Sequence, residues 1–146
     1  MNLLMSLRIA GLRATPQRQF VLEALEDLQH ATPTEIAIAI QAHSPSINLS
    51  TIYRTLDHLE EAGIVSRAFL IGTVPHYFLH GRGLHLVCTS CAFIECVPAT
   101  PMKSSVKAVR RQHGFTVDLA DVVLRGACTL CSGAAQTEPH HTSRVA

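Results

Sequence analysis

Apolar positions in the first part of the chain recur at i, i+3 and i+4. Beyond Gly63 they gather into short runs broken by glycine. The first pattern belongs to helices and the second to strands. A leading helix is expected over residues 3–10, ended by Gly11. Thr15-Pro16 then reads as an N-cap followed by proline at the first helical position, and Phe20, Val21, Leu25 and Leu28 carry a helix to Gln29. Thr32-Pro33 repeats the signature, with Ile36 and Ile40 marking a short helix that ends near His43. After the turn Ser44-Pro45-Ser46, Ser50 is expected to cap a further helix. Its buried stripe is Ile52, Leu56 and Leu59, and Gly63 ends it.

Ile64-Val65, Arg67–Ile71 and His76–Leu79, with a turn at Gly72-Thr73, predict a two-stranded hairpin. Three such helices followed by a hairpin is the order of a winged helix-turn-helix. Gly81-Arg82-Gly83 reads as a hinge. Strands are then expected at His85–Cys88, Phe93–Val97 and Val117–Arg125, with a helix over 102–113 before the third. The expected class is α+β: an N-terminal winged helix-turn-helix domain over 1–79, a hinge at 80–83, a small α/β domain over 84–132, and an unstructured polar tail over 133–146, which holds His140 and His141.

Length and composition narrow the function. At 146 residues, 47% of them hydrophobic, the chain suits one or two small domains, neither with a large core of its own. No run approaches the roughly 18–20 apolar residues of a membrane span. The opening Met1–Met5 is too short for a secretory signal, so a cytoplasmic protein with no membrane partner is expected. Net charge is +1, and residues 1–79 carry five Lys/Arg against seven Asp/Glu. No general basic field announces nucleic acid. Contact with DNA would have to come from a few arginines on one face, doubled by a dimer.

The five cysteines lie at 88, 91, 96, 128 and 131. In a reducing compartment, Cys88/Cys91 and Cys128/Cys131, separated by 36 residues, point to metal rather than disulfides. Four thiolates make the closed tetrahedral shell of a structural Zn²⁺, which would pin the start of the second domain to its finish. A redox dithiol would more often be a single pair near a helix start. The shell leaves no open position, so no catalysis is assigned to it.

The chain resembles the Fur family of ferric, zinc, manganese, nickel and peroxide-sensing repressors, over about residues 8 to 132. The resemblance rests on Gly11–Arg18, Ser50–Leu56, Leu59–Val65, His85–Cys91, His113-Gly114-Phe115 and Gly126–Cys131, in that order and spacing. It is nearest to the zinc uptake regulators. It implies a homodimer whose winged helices bind a palindromic double-stranded DNA operator, whose C-terminal domain dimerises, and whose loaded form represses metal-homeostasis genes. No organic substrate is implied.

The N-terminal part of a recognition helix meets the major groove, and Ser50, Thr51, Tyr53 and Arg54 occupy it. Tyr53 can reach a thymine methyl or a phosphate, and Arg54 can pair with phosphate or guanine. For Arg54 taken alone, an incidental surface arginine is the simpler account; the family pattern reverses that preference. Arg13 could enter a minor groove, and Arg18 could contact phosphate or pack on the domain surface.

For sensing, the resemblance implies ligands drawn from both domains: His30, His80, His85 and Cys96. Three family positions differ, being Gly83, Phe78 in place of an iron-sensor glutamate, and Ala120, which leaves a third metal site without support. A nitrogen/sulfur shell suits Zn²⁺ better than Mn²⁺. Iron or manganese is the alternative, with Glu95 able to replace Cys96 as ligand. His76 and His113 are expected to be surface or hydrogen-bonded residues. Two rivals remain at this point: a cysteine-dependent enzyme using Cys96 with His85 as base, and a zinc-ribbon interaction module without DNA binding.

Overall fold

The computed structural model describes residues 3–133; the tail and its two histidines lie outside them, Gly133 excepted. Helix α1 (Leu3–Ile9) leads into α2 (Pro16–Leu28), α3 (Pro33–Gln41) and α4 (Leu49–Glu61). Their starts are written in polar side chains. The Thr15 hydroxyl accepts from the Arg18 amide, and Thr32 and Glu35 form a reciprocal capping box before α3. Helix α4 begins earlier than the sequence suggests. Asn48, not Ser50, is its cap: the Asn48 carbonyl oxygen Oδ1 accepts from the Thr51 amide at 2.9 Å, which leaves Ser50 inside the first turn.

The apolar faces of α2, α3 and α4 meet in one core. Val21, Leu22, Leu25, Ile36, Ile52, Leu56 and Leu59 are buried there, and Leu7 of α1 closes one end. Strands β1 (Val65–Ala68) and β2 (His76–Leu79) pair antiparallel as the wing. A further bridge, with hydrogen bonds running both ways between Ala31 and Tyr77, ties β2 to the α2–α3 connection. The wing's first strand is shorter than its apolar run. Phe69 and Leu70 leave the ladder, and their carbonyls accept from the Arg125 guanidinium at 2.5 and 3.0 Å.

The second half is a three-stranded sheet in the order β4-β3-β5, from β3 (Leu84–Cys88), β4 (Ile94–Val97) and β5 (Val123–Gly126). Strand β3 lies in the middle, antiparallel to β4 and parallel to β5. A 3₁₀ turn (Thr100–Met102) leads into α5 (Lys103–His113), and α6 (Thr129–Ser132) is a single turn that extends helical structure to the edge of the expected tail. The strand expected over 117–125 survives only at its end. Upstream, the Asp118 carboxylate accepts from the Ala120 amide at 2.9 Å, a local turn that competes with the ladder.

Between the halves, the Arg82 guanidinium donates to Glu26 of α2 at 2.6 Å. Gly83 has φ +135°, and a Cβ there would run into the Val97 carbonyl oxygen. A side chain at that position would force the neighbouring backbone to shift, which accounts for glycine there. No helix among the described residues is long and apolar enough to cross a membrane.

Candidate metal centres and DNA-reading surface

The parallel pairing of β3 with β5 sets Cys88 opposite Gly126, so the chain two residues beyond delivers Cys128 to the end of β3. The turn after Cys88 returns through Ala92, whose φ is +60° and whose amide donates to the Cys88 carbonyl at 3.0 Å. This turn swings Cys91 back, and the single turn of α6 does the same for Cys131. The sulfurs of Cys88, Cys91, Cys128 and Cys131 lie within 4.8 Å of one another. The Cys91 and Cys128 sulfurs are 3.7 Å apart. A tetrahedral shell with Zn–S of about 2.3 Å has S···S edges of about 3.8 Å, so the separation fits a zinc or similar soft ion.

The electrostatics point the same way. Backbone amides of Cys128, Cys91 and Ser90 directed at the Cys88 sulfur bring its thiol down to about 6. Hydrogen bonding to Cys128, Cys91 and Cys88 pushes the Cys131 thiol up to about 12. One thiolate is favoured and its neighbour resists joining it, a conflict that a divalent cation relieves.

The four residues expected to sense metal are not gathered in this way. Among the described residues, the cysteine group is the one set of three or more metal-ligating side chains within mutual reach. His80 is exposed; its Nδ1 lies 2.8 Å from the Ser66 hydroxyl and 3.4 Å from the Asp121 carboxylate. Cys96 is half-buried, its sulfur 3.9 Å from the Arg82 carbonyl oxygen. Burial pushes the Cys96 thiol up, the opposite of what an activated nucleophile needs. Although Cys96 is the register partner of His85, neither His85 ring nitrogen has a hydrogen-bond partner. The base of the rival enzyme reading therefore does not engage its nucleophile.

His76 and His85 both lie near enough to His30 to act on its charge. His76 is buried rather than on the surface, and its Nδ1 has no hydrogen-bond partner. Its ring centroid is 5.8 Å from that of His30. Burial first, then the neighbouring His76 and His85, lower the His30 pKa to about 4. Burial also lowers that of His85, whose ring packs on Phe78 at a centroid distance of 4.0 Å. All four residues of β2 are buried, so no polar–apolar alternation marks position 76. His113, at the end of α5, is exposed as expected.

On α4, Ser50, Tyr53 and Arg54 are exposed and Thr51 half-exposed, on the face away from Ile52 and Leu56. The Arg54 guanidinium makes no hydrogen bond or ion pair among the described residues. Arg18 donates to the Arg13 carbonyl at 2.9 Å, which steadies the segment that presents the Arg13 side chain to solvent.

Residues 9–125 match the Ferric uptake regulator family. The chain belongs to that family. Among curated relatives it is 32% identical over 119 residues to ferric uptake regulation protein 1 of Mycolicibacterium fortuitum, covering 80% of this chain and 74% of that one. It is also 32% identical over 128 residues to the transcriptional regulator FurA of Mycobacterium tuberculosis, covering 86% and 87%. Among solved structures, the ferric uptake regulator of Pseudomonas aeruginosa with manganese superposes with a TM-score of 0.72 at 26% identity, covering 88% of this chain and 98% of that one. A family of transcription regulators leaves the cysteine-enzyme rival without support. Membership makes the chain a metal-responsive transcriptional regulator of the ferric uptake regulator family, with an N-terminal DNA-binding domain and a C-terminal dimerisation domain.

Proposed function

We propose that the protein is a cytoplasmic, dimeric repressor that binds a palindromic operator when a regulatory ion, zinc, is loaded, and that it controls metal-homeostasis genes. The carrying observation is the set of four cysteine sulfurs in tetrahedral range, joined to a winged helix whose reading face is left free. In this reading residues 1–79 read DNA, 80–83 form the hinge, and 84–132 dimerise and hold metal.

Cys88, Cys91, Cys128 and Cys131 hold a structural Zn²⁺. Their role is architectural, since the shell offers no open coordination position. Ser50, Thr51, Tyr53 and Arg54 enter the major groove, with Arg54 pairing to guanine or phosphate. Arg13 reaches the flanking groove, and Arg18 fixes its approach. Dimerisation accounts for the half-buried apolar residues of α5, Val106 and Val109, and for Phe115 at 62% exposure. A second subunit also doubles the few arginines that one copy presents.

The regulatory ion sits between the halves, on His30 and His85. Imidazole donors and the replacement of a wing carboxylate by Phe78 favour zinc over manganese. Iron is the second reading, and the names of the ferric uptake relatives favour it.

The test is an operator-binding titration on protein stripped of exchangeable metal and then supplied with Zn²⁺, Fe²⁺ or Mn²⁺. Tight binding restored by Zn²⁺ at the lowest free concentration supports the reading. Restoration by Fe²⁺ or Mn²⁺ alone replaces zinc with that ion. DNA binding indifferent to every metal removes the sensor role.

A further inference from the structure

A buried imidazole nitrogen without a partner forfeits the hydrogen bonds it would have in water, so such atoms call for an explanation. Four of them occur together here: Nδ1 of His30, Nδ1 of His76, and both ring nitrogens of His85. They belong to three different segments. His30 lies in the α2–α3 connection, His76 opens β2, and His85 lies in β3.

We propose that His76 is a ligand of the regulatory ion, which it holds with His30 and His85 through imidazole nitrogens, and that His80 and Cys96 stay outside the shell. The proposal rests on the metal-sensor reading above and replaces half of the ligand set that family resemblance implied.

The pair His30–His76 is built by the fold. The two hydrogen bonds between Ala31 and Tyr77 lock these neighbouring residues side by side and leave the rings 5.8 Å apart at 55°. Two imidazoles on one zinc, with Zn–N of about 2.0–2.1 Å and a tetrahedral angle, hold their centroids roughly 5 Å apart. The pair is therefore within a small adjustment of chelation. His80 is already engaged by Ser66 and Asp121, and the Cys96 sulfur lies against the Arg82 carbonyl.

His85 supplies the third donor from the other half of the molecule. It rests on Phe78, next-but-one to His76 along β2, and both of its nitrogens lack partners. The three rings do not yet share one centre, because only the four cysteines have ligating atoms in mutual reach among the described residues. Loading then draws β3 toward the α2–α3 connection. That movement couples the ion to the relative placement of the two halves. An all-nitrogen donor set selects a borderline ion such as zinc and disfavours manganese.

The experiment is a competition titration of the exchangeable site with Zn²⁺ and Co²⁺ in the full-length protein, comparing wild type with His76→Gln, His80→Gln and Cys96→Ser. His76→Gln is expected to weaken binding at least ~100-fold, beyond the loss typical of an outer-shell partner, and the other two changes by less than ~3-fold. Co²⁺ in that site should show ligand-field bands without thiolate charge transfer. Unchanged affinity in His76→Gln, or a charge-transfer band abolished by Cys96→Ser, overturns the proposal. Should His76→Gln fail to fold, X-ray absorption on zinc-loaded wild type decides. A nitrogen-only shell at the exchangeable site with three imidazoles supports it, and sulfur or fewer imidazoles refutes it. A wild type that takes up no exchangeable ion ends both the proposal and the sensor reading. An ion bound through His76 that leaves operator affinity unchanged keeps the ligand assignment and ends the sensor reading alone.

Discussion

The two halves of this chain solve the problem of stability differently. In the N-terminal half, three helix faces and the wing hide Leu22, Leu25, Ile36, Ile52, Leu56 and Leu59 almost completely. In the C-terminal half, no described residue beyond Cys88 is buried, α5 contributes none, and Leu130 is 65% exposed. The two segments thus differ in kind. One closes a core by itself. The other has a sheet whose ends meet at four cysteines and a helix that buries none of its residues. A small domain without a sufficient core needs such a staple.

Removing the staple should have the largest effect. Cys128→Ser is expected to lose the tightly held zinc, whose binding is worth about 10–16 kcal/mol in small zinc domains, and with it the dimer. Sedimentation and elemental analysis check this; a dimer that persists without zinc breaks the contrast. In the other half, Leu56→Ala empties a fully buried position and should cost about 2–5 kcal/mol in denaturant unfolding, with zinc content unchanged. Arg54→Ala should leave unfolding where it was and weaken operator binding by about 1–3 kcal/mol. The smallest effect sharpens the view of α4: Asn48→Ala should cost about 1 kcal/mol, and Ser50→Ala less than about 0.5 kcal/mol.

Much of this was legible in the sequence, for identifiable reasons. Thr-Pro pairs announced α2 and α3, because a cap and a fixed proline φ are local properties. The doubled Cys-x-x-Cys spacing announced the cluster, because each short turn fixes its own pair of sulfurs. Asn48 was missed because two candidate caps stood two residues apart and only the backbone geometry chooses between them. The strand at 117–125 was over-extended, since Asp118 satisfies a backbone amide that an apolar pattern assigns to a ladder. His76, expected at the surface or hydrogen-bonded, is buried with Nδ1 unpartnered, whereas His80 is exposed beside Ser66 and Asp121. What separates them is the Ala31–Tyr77 bridge and the placement of Asp121, both contacts between distant segments that no spacing rule encodes.

The most direct test of the contrast is amide hydrogen exchange across the full chain, before and after a strong chelator removes the tightly bound ion. Protection in β3, β5 and the cysteine turns should collapse, while α2, α3 and α4 keep theirs because their core does not involve the cluster. Equal loss in both halves, or none in either, would contradict a C-terminal half held together by its cysteines and an N-terminal half that stands by itself.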